Sequence, residues 1–314
     1  MREKRIKSND AELDRKEMEW WDANAEIIEK IWALNFDFQK LIRLPYLKKA
    51  KHFFITNSAN KPLNILEVGC GTGWVGRMIA DENLHITGTD FSEAQLKIAK
   101  EEAKRFNKED FCKYQLASST IVSKDLDGII LHAILHHFTE EELMTFFNEL
   151  EKMAKGTKVF LYEPVFLNMQ HLKPSIKDKV LNKISLKLKK YAIERAKNIG
   201  VPNNELQDSI KRIYSEATKF GWYITPKEVP FYQNELYNYL EPLFTIQKEY
   251  IVNKTDLSIS QALVFNKIET PDFFFSKVLI PLSTYIDKLL VRGNFTSYIG
   301  KWDHQFMCFE LVRK

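Results

Sequence analysis

ILEVGCGTGWVGRMIA, residues Ile65 to Ala80, passes from an apolar strand-like tetrad through a cluster of glycines into an apolar helix-like pattern. Such a turn lets a ligand come close to the backbone, because no Cβ stands in the way, and it presents the unpaired N–H groups of a helix N-terminus. Two glycine registers overlap in it. Gly71, Gly73 and Gly76 satisfy G-x-G-x-x-G, and Asp90 lies near the distance at which a dinucleotide's ribose-binding acid is expected. Against that register, Gly69 and Cys70 intervene between the strand and its first glycine, and an acid, Glu67, stands close to the strand's end. The other register is Gly69, Gly71 and Gly73.

Outward from the turn, strand and helix patterns alternate. Asn64 to Val68 reads as a buried strand, Val75 to Ala80 opens a helix, and His85 to Thr89 reads as a second strand ending at Asp90. Ser92 is an N-cap for a helix to about Phe106, with Glu93 in the first turn where the macrodipole favours a carboxylate. Strands follow at Phe111 to Leu116, Leu126 to Leu131 and Lys158 to Tyr162. Between the last two lies a helix from Glu140 to Ala154, capped by Thr139 and stopped near Gly156. This alternation predicts an α/β fold with a parallel sheet covered on both faces, whose ligands bind beyond the carboxyl ends of the strands. Glu67, Gly69, Asp90 and His132 stand at those ends.

The flanks differ from this core. Asp10 to Phe54 carries helical patterning with Trp20, Trp21, Trp32, Phe36 and Phe38, and Pro45 punctuates its end. After Pro164 the strand signal fades for about sixty residues. There Ile176, Val180, Ile184 and Leu188 recur every four residues, followed by Tyr191, with nine basic against two acidic residues from Lys173 to Lys197, a basic amphipathic helix. Strand character returns at Phe244 to Val252 and Gln305 to Val312, as two antiparallel strands finishing the sheet's edge. Four parts are expected: a helical lid over 1–60, the core over 61–164, a helical cap over 165–240, and C-terminal strands with an intervening apolar helical segment over 241–314.

Composition narrows the function classes. With 314 residues and 45% hydrophobic content the chain can bury a large core, and 46 basic against 42 acidic residues leave a net charge of only +4, which gives no basic footprint for nucleic acid. Cys70, Cys112 and Cys308 lie far apart without a C-x-x-C pair, so neither a disulfide framework nor a zinc site is expected. The opening MREKRIKSNDAELDRKEMEWW has no apolar h-region, and with the reduced cysteines this points to a cytoplasmic setting. Phe273 to Leu290 is the most apolar late stretch. Lys277, Pro281 and Asp287 interrupt it, so no transmembrane segment is expected, while peripheral membrane contact stays open.

At EVGCGTG the sequence resembles the class I S-adenosylmethionine-dependent methyltransferases of small-molecule type, whose first motif places an acid two residues before a G-x-G-x-G turn. The resemblance covers about Asn64 to Glu163. It implies a Rossmann-like seven-stranded sheet, mostly parallel with an antiparallel C-terminal strand, and S-adenosyl-L-methionine as cofactor. That cofactor has no pyrophosphate; it has a methionyl zwitterion, a sulfonium and an adenosine. Gly69, Cys70, Gly71 and Gly73 would then allow close approach, and Glu67 would stand near the cationic end. The resemblance further gives Asp90 the two ribose hydroxyls and Phe91 the adenine face. Ser118 and Ser119 stand where the family commonly has an aspartate near the adenine, and His132 becomes a wall of the cofactor site.

The acceptor side centres on LDGIILHAILHHF, Leu126 to Phe138. His132 and His136 are four apart, yet no glutamate completes H-E-x-x-H and no third ligand is near, so no metal is expected. Methyl transfer is an in-line displacement that needs alignment and exclusion of water, and a hydroxyl acceptor gains from a general base. His136, His137 and Glu163 are the candidates for that role. Their ordinary alternatives are a histidine capping the next helix and a glutamate bound to backbone N–H groups. The expected function is methyl transfer to a small-molecule, glycan or lipid-type acceptor, on oxygen. A nicotinamide oxidoreductase using Gly71, Gly73 and Gly76, and a non-catalytic cofactor-binding module, are the competing readings.

Overall fold

The computed structural model describes residues 5–8, 10–32, 43–56, 62–117, 126–166, 176–220, 224–252, 262–263, 265–268, 272–283, 285–286 and 305–314. Ser118, Ser119, Phe36, Phe38 and Trp222, together with the Trp32 side chain, lie outside the described residues.

The core alternates as the sequence pattern predicts. Strand β1 (Leu63–Val68) leads through the glycine turn into a short helix, Trp74–Ile79, and then β2 (Leu84–Asp90), a helix Glu93–Arg105, β3 (Cys112–Leu116) and β4 (Gly128–His132) follow. After a 3-10 turn at Leu135–His137 come a helix Glu140–Glu151 and β5 (Lys158–Phe166). Two further helices, Ile176–Ile199 and Asn204–Phe220, occupy the stretch expected as a helical cap. A two-residue β6 (Phe231–Tyr232), a helix Gln233–Leu240, β7 (Phe244–Val252) and β8 (Gln305–Arg313) complete the chain. Upstream, helices Ala11–Trp32 and Leu44–Ile55 precede the sheet. In chain order the helices are α1 (Ala11–Trp32), α2 (Leu44–Ile55), α3 (Trp74–Ile79), α4 (Glu93–Arg105), α5 (Glu140–Glu151), α6 (Ile176–Ile199), α7 (Asn204–Phe220) and α8 (Gln233–Leu240).

The strands lie in the order β3-β2-β1-β4-β5-β8-β7. The first five are mutually parallel, β8 runs antiparallel to β5, and β7 antiparallel to β8. The sheet has eight strands rather than the seven expected, because β5 continues four residues past Tyr162, through Pro164 to Phe166, and its extension pairs with β6. Strand order reverses between β1 and β4, so the switch-point crevice opens at their carboxyl ends, next to the glycine turn.

Side chains alternate across the sheet with period two. Ile65, Ile130 and Phe160 face α2, α3 and α4 in one buried cluster, while Leu66, Ile129, Leu131 and Val159 face α5 and α8 in another. Both faces are covered, which is why the strands read as near-continuous apolar runs. Helix α2 contributes Tyr46, Leu47, Ala50, Phe53 and Phe54, a stripe at helical spacing. Pro45 falls in the first turn of α2, where its missing N–H costs nothing, so it opens a helix instead of closing one. At α5 the Thr139 cap is a full capping box: Glu142 N–H donates to Thr139 Oγ1 at 3.1 Å and Thr139 N–H to Glu142 Oε2 at 2.7 Å. The cap keeps a small core of its own, with Ala192 and Ala196 of α6 against Leu263, Phe275 and Leu279.

Phe160 is fully buried in the centre of β5. Phe160→Ala should lower the unfolding free energy by about 3–5 kcal/mol, read from urea denaturation, because the rigid sheet and α2 cannot collapse into the vacated space.

Candidate functional site

Three alternating glycines of the turn, Gly69, Gly71 and Gly73, take φ of 62°, 53° and 69°, in the left-handed region. The Cys70 N–H between them still donates to Thr89 O at 2.9 Å, so the β1–β2 ladder reaches into the turn. Asp90 closes it. Gly71 N–H donates to Asp90 Oδ2 at 2.8 Å and Ser92 N–H to Oδ1 at 2.9 Å. Each carboxylate oxygen retains a second lone pair for a ligand hydroxyl. Burial raises the Asp90 carboxyl, and the N–H groups of Ser92 and Gly71 oppose that rise.

Gly71 is the open point of the turn. A Cβ built there meets only Gln95 Oε1, at 3.5 Å, whereas one at Gly73 strikes the Tyr114 ring at 2.5 Å. Gln95 Oε1 is buried and has no hydrogen-bond partner among the described residues. The open space at Gly71, a two-oxygen acceptor and an orphaned amide oxygen fit a ligand carrying hydroxyl or amino donors, as the adenosine part of S-adenosylmethionine does.

Glu67 has a second task besides standing near this turn. Its Oε2 accepts the Gly76 N–H at 3.0 Å, so the carboxyl at the end of β1 clamps the start of α3. Burial pushes it up to about 8, against the pull of the Gly76 N–H and the Arg77 charge. A Cβ at Gly76 would come 2.7 Å from that oxygen and 2.8 Å from Ile86 Cγ2, so Gly76 serves helix packing. Cys70 is buried, with burial holding its thiol well above its ordinary range, and Phe91 is half-buried beside Asp90.

His132, the last residue of β4, stacks on its cross-strand neighbour Tyr162 with ring centroids 4.1 Å apart and planes 3° from parallel. Trp74 meets it edge-on at 5.1 Å, and Tyr46 OH lies 3.2 Å from His132 Nε2. Arg43 caps the group with its guanidinium 4.6 Å from the Trp74 ring centre. Burial, reinforced by the Arg43 charge, pushes His132 down to about 3, so its imidazole is neutral. The chain leaves β4 through Ala133 at φ 57°, a rare conformation for a residue with a Cβ.

The turn that follows holds the other two histidines. Glu163 reaches over from β5: its Oε1 accepts the N–H groups of Ile134 (2.9 Å) and Leu135 (2.7 Å), and its Oε2 lies 2.7 Å from His136 Nδ1. Glu163 therefore binds backbone N–H groups and an imidazole together, and on the other side of that imidazole Nε2 lies 3.8 Å from Glu228 Oε1. The His136 and His137 rings are 4.1 Å apart, close enough that one charge opposes the other. Burial and the neighbouring His137 hold His136 well below its ordinary value, while burial pushes Glu163 up to about 7. For His137 burial is again the largest influence and lowers it, but the hydrogen bond and charge of Glu17 overcome this and leave it raised. One imidazole is held toward its neutral form and its neighbour toward its charged form.

Glu17, on α1, was not legible as a site residue, and neither were Asp22, Arg43, Tyr46, Tyr162 or Glu228. Glu17 Oε1 lies 3.0 Å from His137 Nδ1 and accepts from Thr225 Oγ1 at 2.8 Å and Trp21 Nε1 at 2.9 Å; its Oε2 accepts the Lys227 N–H at 2.9 Å. Asp22 accepts the Ser92 hydroxyl, and Trp21 O accepts from Gln95 Nε2 at 3.2 Å. Helix α1 therefore spans from the Asp90 corner to the histidine turn. The one sequence signal was the density of acids and tryptophans in KEMEWWDAN, without any hint of their partners.

The Glu17–His137 pair sets a pH window. Glu17 is lowered from 4.5, a contribution present above that pH and lost as pH falls through its folded value; His137 is raised from 6.5, a contribution present below that pH and lost as pH rises through its folded value. The stability difference between the native chain and Glu17→Gln should be greatest between pH 4.5 and 6.5. There it should reach about 3 kcal/mol and shrink as pH rises through the folded value of His137, read from urea titrations.

Residues 65–156 match a family model described as a methyltransferase domain, a segment that begins in β1 and ends just before β5. One similar protein is the ubiquinone biosynthesis O-methyltransferase of Pelagibacter ubique (strain HTCC1062), 30% identical over 155 residues, which are 46% of this chain and 61% of that protein. Another is the malonyl-[acyl-carrier protein] O-methyltransferase of Bacillus anthracis, 26% identical over 118 residues, 32% of this chain and 44% of that protein. The chain thus spans less than two thirds of either relative. Among solved structures it shares its fold with the [4+2]-cyclase SpnF at TM-score 0.54, with 12% identity and 99% of each chain covered. It shares it too with the cyclopropane synthase MmaA2 of Mycobacterium tuberculosis at TM-score 0.50, with 15% identity, 92% of this chain and 98% of that one. The sheet order, the glycine turn and the family match agree on an S-adenosylmethionine-type methyltransferase core, and the dinucleotide register loses its claim on the turn.

Proposed function

We propose that this chain binds S-adenosylmethionine at the glycine turn and transfers its methyl group to an oxygen of a small-molecule acceptor. The observation that carries the proposal is the Gly71–Asp90 corner, where a backbone N–H and a buried carboxylate stand beside the orphaned Gln95 oxygen and an open Gly71 face. The methyltransferase-domain match supports it, and the names of both relatives, each an O-methyltransferase, support oxygen as the acceptor atom.

The bound cofactor supplies an electrophilic methyl; the chain supplies binding, alignment and proton handling. Asp90 would hold the ribose hydroxyls, and Gln95 Oε1 would gain the donor it lacks. The neutral His132, fixed by Tyr162, Trp74 and Tyr46, walls the crevice at the end of β4 without placing a positive charge beside the sulfonium. Trp21 and the rest of α1 exclude water.

The general base is His136. Glu163 holds its Nδ1, which leaves the Nε2 lone pair to take the acceptor's hydroxyl proton, the arrangement by which a carboxylate sets an imidazole's tautomer. Its neighbour His137 has its Nδ1 engaged by Glu17, which favours its charged form and makes it the poorer proton acceptor of the two. Glu163 acts through His136 rather than on the acceptor.

S-adenosylhomocysteine should raise the thermal midpoint of the chain and NAD(H) should not; the reverse result sinks the proposal. Asp90→Ala and Gly71→Val should each weaken S-adenosylhomocysteine binding by at least about tenfold in titration calorimetry, the loss of a charge-assisted contact or of the room for close approach. His136→Gln should cut turnover by about 10²–10⁴ while cofactor affinity stays near native. Incubating a cell extract with isotopically labelled S-adenosylmethionine, followed by mass spectrometry, identifies the acceptor. Cofactor binding with no labelled product in any extract would leave a binding module in place of an enzyme.

A further inference from the structure

Exposed large apolar side chains are not scattered over this protein. Among the described residues, Met18, Ile55, Leu116 and Met144 stand apart, and all the others fall between Ile176 and Tyr285, on the cap. Helix α6 carries six of them, of which Ile176, Val180, Ile184 and Tyr191 are spaced so that they share one side of the helix. Ile176 is 82% exposed. The opposite side, with Ala192 and Ala196, is buried against Phe275 and Leu279. Burial of α6 in the cap is thus already achieved without the outer stripe.

The helical run through the π-turn Phe275–Leu279 packs beside α6, joined to it by the Arg195–Asp272 ion pair at 2.6 Å and by Tyr191 against Phe274. It too leaves apolar side chains in solvent: Phe273, 76% exposed, and Val278, Leu282 and Tyr285. Exposed lysines line one edge of the α6 stripe at Lys183, Lys190 and Lys197, and Lys187 falls within it. Lys190 and Glu194 approach only to 3.9 Å, both well exposed, so little of this charge is neutralised within the helix.

We propose that this face of the cap docks on the surface of an anionic lipid membrane, with the apolar side chains of α6 and of the neighbouring helical run entering the acyl boundary and the lysines meeting lipid phosphates. An amphipathic helix lying in the interface has this construction, an apolar face with basic residues beside it whose long stems reach the headgroups. The charge decides among occupants. A second copy of the chain would set the two lysine rows against each other across a two-fold contact, and a nucleic acid would leave Ile176 and Phe273 in water. No described helix is long and apolar enough to cross a membrane, so the contact is peripheral. The proposal stands independently of the methyl-transfer chemistry.

Flotation of the full chain with vesicles tests it. The chain should float with phosphatidylcholine vesicles containing about 40% phosphatidylglycerol, stay behind with pure phosphatidylcholine, and lose binding as salt rises, since each basic residue near such a surface contributes through a screened attraction. The triple charge reversal Lys183→Glu, Lys187→Glu, Lys190→Glu should lower the partition coefficient by at least about tenfold, because it removes three favourable contacts and adds three repulsive ones. Phe273→Ser with Leu282→Ser should lower it comparably while the thermal midpoint stays within about two degrees of native, as expected for exposed positions. Equal flotation with both vesicle types, no flotation at all, or a concentration-dependent dimer that the same variants disrupt would each overturn the proposal.

Discussion

The hydrogen bond from Gly71 N–H to the Asp90 carboxylate joins the two structures on which everything else at this site rests. One end belongs to a turn that only glycines fold this way, and the other to the last residue of β2. Because Asp90 also takes the Ser92 N–H, the same side chain fixes where α4 begins. Displacing it would loosen the turn, the helix start and, through Ser92 and Gln95, the hold on α1. A carboxylate buried at such a junction is costly in isolation; two backbone N–H groups make it tolerable and leave it aimed at the crevice.

A comparable economy governs the acceptor side. Two imidazoles in sequence, their ring centres 4.1 Å apart, would repel if both were charged. The fold resolves this by giving each its own carboxylate under different conditions. Glu163 is braced by two backbone N–H groups of the β4 exit and shares its remaining oxygen with His136, whereas Glu17 collects donors from Trp21, Thr225 and Lys227 and keeps its charge against His137. Environments that push neighbouring titratable groups apart divide proton-accepting from proton-holding roles.

The central sheet was legible from the chain because its signals are local. Ser92 and Thr139 cap helices through bonds to residues three positions away, and the apolar runs of β1, β4 and β5 mark strands buried on both faces. The glycine turn and Asp90 were readable for the same reason. Glu17 and Tyr46 were not, since their partners lie 120 and 86 residues away and nothing beside them in sequence announces a histidine across the fold. The extension of β5 through Pro164 was hidden as well. Proline reads as a stop, and only the pairing of Val165 and Phe166 with Phe231 and Tyr232, and of β5 with β8, explains why the strand goes on.

The anchoring of α1 has a consequence for how the chain is made. Glu17 is synthesised before Thr225 and Lys227, which complete its ring of donors 208 and 210 positions later. At ribosomal rates of 5–20 residues per second, α1 waits roughly 10–40 s before its final partners emerge. The nascent chain can build the five parallel strands and seat Asp90 against Gly71 well within that interval. Helix α1 is therefore the last part of this site to settle, although it is translated ahead of the sheet it covers, and until then its tryptophans and carboxylates face solvent.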